Sequence, residues 1–207
     1  MCRIKFSKKS FARYISHLDL IRVFSRAFTR AEIPIRHTEG FNPHPHMVFS
    51  APISLGFESE CELLDIKLKT EMDLNEVKNR LIKNMPIGIE ILDVYETSSI
   101  FDEIKYAEFD IIIDEKSMEI FENYIKKDEI FVEKKSKKGN YMLNIKSEIT
   151  KISIKNNKIN VIFPCGNEKN INPMLLMSKF FVDNPKISQD ILIKRKNFFD
   201  QKMNLFL

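Results

Sequence analysis

The feature that most constrains the fold is a pattern of hydrophobic spacings that changes several times along the chain. In residues 1–97, apolar residues first recur at strand spacing, and residues 17–33 then show the spacing of an amphipathic helix. Two strand-like runs, a second helical pattern at residues 73–85 and a last strand-like run follow. This order, βαββαβ, is the split βαβ arrangement of ferredoxin-like folds.

The same order of patterns recurs in the second half of the chain, with the pattern of one extra hairpin. The two halves share no clear sequence identity, so only the pattern repeats. A chain of 207 residues is long enough for two domains of about 100 residues each. We therefore predict an α+β protein of two tandem ferredoxin-like domains, residues 1–97 and 104–207, of which the second has the extra hairpin and is basic.

Nothing in the sequence predicts a secreted or membrane protein. No apolar run approaches the roughly 20 residues that a membrane-spanning helix requires, and the basic N-terminal residues lack the apolar segment of a signal peptide. The three cysteines, Cys2, Cys61 and Cys165, are odd in number and far apart. This suits a reducing compartment and provides no Cys-x-x-Cys motif for a metal or cluster. We expect a soluble cytoplasmic protein that binds no membrane.

The net charge of +4 conceals a strong asymmetry along the chain. Residues 1–50 carry nine Lys and Arg against three Asp and Glu, residues 51–130 carry nine against twenty, and residues 131–207 carry fifteen against six. If the fold brings the two basic blocks to one side, they form a surface for a polyanion. The alternative is a set of scattered, solvated lysines, which fits the third block better than the first.

The helix that begins after Ser16 carries the first candidate site. Ser16 with Asp19 three residues on is a variant of the capping box. Arg22, Arg26 and Arg30 recur every four residues and therefore lie along one face, opposite the apolar stripe. A row of guanidinium groups suits phosphate or carboxylate recognition, and the alternative is a solvated face. We predict that this face binds an anion.

His17 and Asp19 form a second candidate at the start of the same helix. They are two residues apart and do not share a helix face. His17 is a possible general acid or base, and the alternative is that it satisfies backbone groups at the helix cap. We also predict that His17 and Asp19 contact the anionic ligand together with the arginines of this helix.

The segment TEGFNPHPHMV, residues 38–48, is the third candidate because it concentrates residue types that are rare in this chain. Glycine and proline indicate a sharp, rigid turn. The His-x-His pair could bind zinc with a further histidine, could face an anionic ligand, or could belong to a turn that serves packing alone. We predict a ligand-binding loop and no metal. Its predicted ligand-binding residues are Gly40, Phe41, Asn42, Pro43, His44 and His46.

These motifs together resemble a bacterial family of unknown function whose members are fused to, or encoded beside, radical S-adenosylmethionine (SAM) proteins. The resemblance covers essentially the whole chain and is most specific in its first sixty-five residues. The residues that carry it are Ser16, His17, Leu18, Asp19, Arg22, Arg26, Ala27, Gly40, Phe41, Asn42, Pro43, Gly56, Glu62 and Asp65.

The resemblance implies a partner rather than an activity. The partner would be a radical SAM protein that holds S-adenosylmethionine and the iron–sulfur cluster, so we expect no cofactor in this chain. Family members are also encoded near ribosomal-protein and ribonuclease genes, which implies ribosomal or transfer RNA as a ligand. This chain departs from the family pattern at His46, where the family more often has Lys or Arg. That departure favours a basic residue meeting an anion over a metal site.

Three functions remain open at this point. The first is a binding module that holds RNA or another anionic substrate for the radical SAM enzyme. The second is a metal-independent endoribonuclease, because some endoribonucleases pair two ferredoxin-like domains and use histidine in acid–base catalysis. In that case His17 and His44 are the catalytic residues. The third is a protein–protein adaptor that docks the enzyme through the acidic middle of the chain.

Overall fold

The computed structural model of the chain describes residues 1–136, 139–155 and 157–207. Positions 137, 138 and 156 of the predicted C-terminal domain lie outside the described residues. The fold is a mixed α/β fold with a mainly antiparallel sheet and four α-helices in the described part. The chain divides into two compact units, unit 1 (Met1–Phe101 with Leu207) and unit 2 (Asp102–Phe206). No described helix is both long and apolar enough to span a membrane.

Unit 1 has four strands and two helices in the order βαββαβ. They are β1 (Cys2–Lys8), α1 (His17–Arg30), β2 (Met47–Phe49), β3 (Glu58–Ile66), α2 (Leu74–Ile82) and β4 (Ile89–Glu96). The strands are ordered β4-β1-β3-β2, and each neighbouring pair is antiparallel. A short 3-10 turn, Ser10–Tyr14, links β1 to α1.

The core of unit 1 forms where the apolar face of the sheet meets the apolar stripes of the helices. Ile4 and Phe6 are fully buried in this core, and Phe24 of α1 packs its ring 4.8 Å from that of Phe6. Successive side chains of a strand point to opposite faces. Arg3 and Lys5 therefore lie on the other face of the sheet.

Unit 2 repeats the element order with an inserted hairpin. Its elements are β5 (Tyr106–Ile112), α3 (Glu115–Tyr124), β6 (Phe131–Ser136), β7 (Gly139–Asn144), β8 (Lys151–Lys155), β9 (Lys158–Pro164), α4 (Met174–Asp183), β10 (Leu192–Phe199) and β11 (Leu205–Phe206). The strand order is β10-β5-β9-β8, β11 pairs with β10, and β6 pairs only with β7 among the described strands.

The observed element order matches the order predicted from the sequence as far as β10, including the extra hairpin in the second half, and β11 was not predicted. The helix expected after Ser16 is α1, and Ser16 is its N-cap. The units divide between Phe101 and Asp102. The domain bounds 1–97 and 104–207 and the assignment to the ferredoxin-like fold stay predictions.

Candidate functional site

The N-terminus of α1 is capped by the side chain of Ser16. The backbone N–H of Asp19 donates to the Ser16 hydroxyl oxygen at 3.1 Å, and that hydroxyl donates to Asp19 Oδ2 at 2.7 Å. Arg22 donates to Asp19 Oδ1 at 2.7 Å. The hydrogen bond from Ser16 and, to a smaller extent, the one from Arg22 hold the pKa of Asp19 below its ordinary value. Asp19 is thereby engaged on both carboxylate oxygens.

The three arginines of α1 differ in what they contact. Arg22 is held by Asp19, and Arg30 donates to the backbone carbonyl of Asn84, just past the end of α2, at 2.5 Å. Arg26 is exposed and has no hydrogen bond or ion pair with the residues that the structure describes. The row of arginines predicted from the sequence therefore contains one guanidinium that can bind a ligand without breaking a contact.

His17 is exposed and lies against the strand that follows the loop. Its ring meets Phe49 of β2 edge to face, with the ring centroids 5.3 Å apart. Phe49 in turn packs against Phe24 in the core at 5.7 Å. The structure thus places His17 beside β2 and not beside Asp19, whose carboxylate is engaged elsewhere.

Residues 36–46 form a closed hairpin, which we call the 36–46 hairpin. His46 N–H donates to the Arg36 carbonyl at 2.8 Å, and Thr38 N–H donates to the His44 carbonyl at 2.9 Å. His44 N–H also donates to the Thr38 hydroxyl oxygen at 3.2 Å. These bonds join the two arms of the hairpin on both sides of the bridge between His37 and Pro45. A turn at the position expected from the glycine and prolines is present.

The tip of the 36–46 hairpin presents an aromatic side chain to solvent. Gly40 has φ +133°, a conformation that favours glycine, and no atom lies within 4 Å of the position that a Cβ would take. Phe41 follows it with a relative exposure of 113%, and Asn42 and Pro43 are exposed as well. The tip therefore makes no use of Phe41 for packing.

The histidines of the hairpin have different surroundings. His44 is exposed, and its Nδ1 lies 3.1 Å from Thr38 Oγ1 and 3.2 Å from the Asn42 carbonyl oxygen. His46 is half-buried, and its Nδ1 is shielded from solvent without a hydrogen-bond partner in the described part of the chain. His37 Nδ1 lies 3.1 Å from the Ile35 carbonyl oxygen. Within the described residues, no group of three or more His, Cys, Asp or Glu side chains is arranged to hold a metal ion.

The structure adds three cations at the base of the hairpin that the sequence analysis did not single out. Arg36 N–H donates to the Lys67 carbonyl at 2.8 Å, and Lys69 N–H donates to the Pro34 carbonyl at 2.6 Å. These bonds bring Arg36, Lys67 and Lys69 together, and all three are exposed. The available signal was the Lys-x-Lys spacing directly after β3, which puts two lysines on one side of an extended segment.

The three cations line one open cavity of about 750 Å³. The cavity lies between the hairpin base and the first turn of α2, and three carboxylates also line it, those of Glu71, Asp73 and Glu96. Asp73 is committed to the α2 cap, where it accepts from Glu76 N–H at 2.9 Å. Arg36 therefore belongs both to the hairpin and to the cavity wall.

The comparison with known proteins gives a family. A family model described as "Uncharacterized protein conserved in bacteria (DUF2344)" matches residues 2–173. The match includes α1 and the 36–46 hairpin. No curated protein matches the chain in sequence.

Proposed function

The chain belongs to the bacterial family of uncharacterised proteins whose model it matches, and we propose that it is a binding module for single-stranded RNA. The 36–46 hairpin and the cations at its base form the RNA-binding surface. In this proposal the module holds the RNA for a radical SAM enzyme, as the family resemblance implies, and ribosomal or transfer RNA is the substrate class. S-adenosylmethionine and the iron–sulfur cluster belong to that enzyme.

The proposal includes the ferredoxin-like fold for both units. Each unit has the element order βαββαβ, apart from the β6–β7 insertion, and an antiparallel sheet in which the first strand lies between the fourth and the third. Such sheets are common in RNA-binding domains, an analogy of fold that carries no residue-level claim.

The single observation that carries the proposal is the exposure of Phe41 at the tip of the closed hairpin. A phenylalanine that packs against nothing gains no stability from its apolar surface. A nucleobase can stack on such a ring, and base–aromatic stacking contributes about 1–3 kcal/mol per base. Because the bases of a duplex are already stacked, a single aromatic tip selects unpaired nucleotides.

The surrounding cations supply the contacts that phosphates require. Arg36 is in the hairpin itself, and Lys67 and Lys69 lie beside its base. Arg26 of α1 is the exposed arginine without a partner among the described residues. Each phosphate contact releases counterions, so affinity should fall with salt concentration.

The test measures binding of a fluorescently labelled oligouridine to the whole chain by anisotropy. Phe41→Ala should weaken binding by about tenfold, since the stacking of one base is removed. The double variant Lys67→Ala/Lys69→Ala should weaken binding and reduce the slope of log affinity against log salt by about 0.7 for each phosphate that the protein no longer neutralises.

Phe11→Ala is the matched control, because Phe11 is 84% exposed on the Ser10–Tyr14 turn. It makes the same chemical change outside the hairpin and should leave binding unchanged. Equal binding by wild type and Phe41→Ala would overturn the hairpin as the RNA site. Crosslinking in cells with sequencing of attached RNA then identifies the substrate, and recovery of a partner protein with no RNA would favour the adaptor.

A second candidate function, the endoribonuclease, is supported by the orientation of His44. The Asn42 carbonyl beside Nδ1 can only accept a hydrogen bond, so Nδ1 is the donor in the neutral ring. Nε2 is then the acceptor nitrogen, and it makes no hydrogen bond with the described residues. An oriented imidazole with a free acceptor nitrogen is what a general base requires.

Cleavage of labelled single-stranded RNA decides this second candidate. Wild type should cleave the RNA without added metal, and His44→Ala should abolish cleavage while binding persists. His17→Ala tests the other predicted catalytic residue, whose ring packs on Phe49. Intact RNA after prolonged incubation with wild type would leave binding as the function.

A further inference from the structure

Large apolar side chains are exposed on three loops of unit 1. The first loop is the turn Ser10–Tyr14, the second joins β2 to β3, and the third joins α2 to β4. Each of these side chains is at least 60% exposed, so it buries little of its apolar surface in the fold. They are Phe11, Tyr14, Leu55 and Ile87.

Two backbone hydrogen bonds bring the three loops together. The N–H of Gly56 donates to the Arg13 carbonyl at 2.9 Å, which places the β2–β3 loop beside the turn. The N–H of Lys9 donates to the Gly88 carbonyl at 2.8 Å, which places the α2–β4 loop beside the start of the same turn. We call the surface that these loops form, with its four exposed apolar side chains, the apolar end. Exposed apolar side chains that are grouped in this way, unlike single ones, mark an interaction site.

The apolar end and the cavity beside the 36–46 hairpin lie at opposite ends of the sheet. β1 begins at that cavity, where Cys2 pairs with Glu96 of β4. It ends at Lys8, which pairs with Ile89 directly after the α2–β4 loop. The length of this seven-residue strand, about 20 Å, therefore separates the two surfaces.

Arg13 adds a positive charge to the apolar end. Its Nη2 donates to the Tyr14 hydroxyl oxygen at 2.8 Å, and its guanidinium lies 4.8 Å from the centroid of the Tyr14 ring. Arg13 is partly exposed, and it makes no ion pair with the residues that the structure describes. Its Nε is shielded from solvent, so only the outer nitrogens can meet a partner. Tyrosine and arginine are enriched among the residues that dominate the energy of protein interfaces.

The charge of Arg13 favours a different protein over a second copy of this chain as the occupant. The carboxylates nearby are engaged, since Glu58 accepts from the Ser10 N–H at 2.9 Å and Glu90 faces Lys9 at 3.5 Å. In a symmetric dimer the same surface lies on both sides of the interface. Two arginines would then be brought together without a free carboxylate, and like charges at an interface oppose binding. A partner that supplies a carboxylate removes this cost.

We infer that the apolar end docks a second protein through an apolar segment that carries a carboxylate. The apolar side chains of that segment lie against Phe11, Leu55 and Ile87, and its carboxylate accepts hydrogen bonds from Arg13. Tyr14 holds the guanidinium in position for this contact. The inference does not depend on the proposed RNA site, because the two surfaces share no residue.

The test selects binders to the immobilised whole chain from a phage-displayed library of random peptides. Peptides that also bind the double variant Phe11→Ala/Leu55→Ala are discarded, so the remaining ones depend on the apolar end. These peptides should combine apolar residues with Asp or Glu. Anisotropy of one labelled peptide should show binding about tenfold weaker to Ile87→Ala, which removes apolar contact, and to Arg13→Gln, which removes a charge-assisted hydrogen bond. The same peptide with its carboxylates changed to amides should bind wild type and Arg13→Gln equally.

Val182→Ala and Arg26→Gln are the matched controls, because each makes a similar change at an exposed residue outside the apolar end. Both should bind the peptide as wild type does, and matching NMR spectra of the free proteins confirm that the variants fold. The inference is overturned if no selected peptide depends on the apolar end, or if the dependent peptides lack acidic residues. Sedimentation of the chain as a dimer that Phe11→Ala/Leu55→Ala dissociates would also overturn it and assign the surface to a second copy.

Discussion

Charged side chains are buried and paired at the centre of the sheet of unit 1, whereas they are exposed and weakly paired at the 36–46 hairpin. At the sheet centre, Arg3 and Asp65 on neighbouring strands are 0% and 2% exposed and form a two-pronged ion pair with distances of 2.7 and 2.8 Å. Arg3 also donates to Ser99 and to the Leu207 carbonyl. At the hairpin, Arg36 is exposed and its contact with Glu39 is 3.4 Å long.

The difference separates the parts of unit 1 that hold the fold from the part that is free to bind. A buried charge is tolerated only when its hydrogen-bonding groups are satisfied. Removing either partner of the pair at the sheet centre therefore destabilises the fold. The exposed ion pair between Arg36 and Glu39 contributes little to stability, and the exposed ring of Phe41 packs against nothing within the described residues. Changes at the sheet centre should therefore alter stability, and changes at the hairpin should alter binding.

The largest effect should come from breaking the buried pair. Asp65→Ala leaves the Arg3 guanidinium buried without its carboxylate and should destabilise unit 1 by about 3–5 kcal/mol. Urea unfolding followed by NMR signals of unit 1 measures the loss. Glu39→Ala is the control in the hairpin and should cost less than about 1 kcal/mol, because its ion pair is exposed. Similar losses for the two variants would contradict the division.

A smaller effect should separate two glycines with left-handed backbone conformations. Gly88 has φ +90°, and a Cβ there would lie 2.7 Å from the Lys9 carbonyl oxygen and 2.9 Å from the Ala12 Cβ. Gly40 has φ +133° and open space around it. Both Gly→Ala changes should cost about 1–3 kcal/mol for the backbone conformation, and Gly88→Ala should cost more because of the clash. Thermal unfolding shows which of the two variants is less stable. An equal loss of stability would show that the backbone at Gly88 shifts to relieve the clash.

The N-terminal cap of α1 should contribute less to the free energy of unfolding than the buried ion pair or the turn at Gly88. Ser16→Ala removes the acceptor for Asp19 N–H and should cost about 1 kcal/mol. Because the folded-state pKa of Asp19 is lowered, its contribution to stability is present above the ordinary pKa and is lost as the pH falls through the folded-state pKa. An NMR titration should show the pKa of Asp19 rising in Ser16→Ala. An unchanged pKa would mean that Arg22 alone holds the carboxylate.

The smallest effect on stability should come from the residue with the largest proposed effect on binding. Phe41→Ala should change the free energy of unfolding by less than about 0.5 kcal/mol, because the side chain packs against nothing. Denaturant unfolding measures this together with the binding assay. A destabilisation above about 1 kcal/mol would exceed the usual cost of a surface substitution and would assign Phe41 a structural role.

Much of the local structure of unit 1 was predictable because it depends on neighbours in sequence. The α1 helix follows from apolar residues at helical spacing, and its start at Ser16 follows from a side chain that can accept from an N–H three residues on. The hairpin follows from Gly40 and the prolines around His44, which restrict the backbone to a turn.

The composition of the candidate site was only partly predictable. The sequence identified Arg22, Arg26 and Arg30 as equivalent, whereas the structure engages the first with Asp19 and the last with Asn84. The contact with Asn84 joins residues 54 positions apart. Spacing within one helix cannot reveal it, because it depends on how α1 and α2 pack.

The sequence by itself determined the order of helices and strands as far as β10, the capped start of α1 and the turn at residues 38–46, since each depends on interactions over a few residues. Only the tertiary structure decided that Arg36 joins Lys67 and Lys69, that Phe41 is left fully exposed and that the loops of the apolar end meet. The physical reason is strand register: pairing between distant segments sets which side chains meet. No local pattern encodes that pairing.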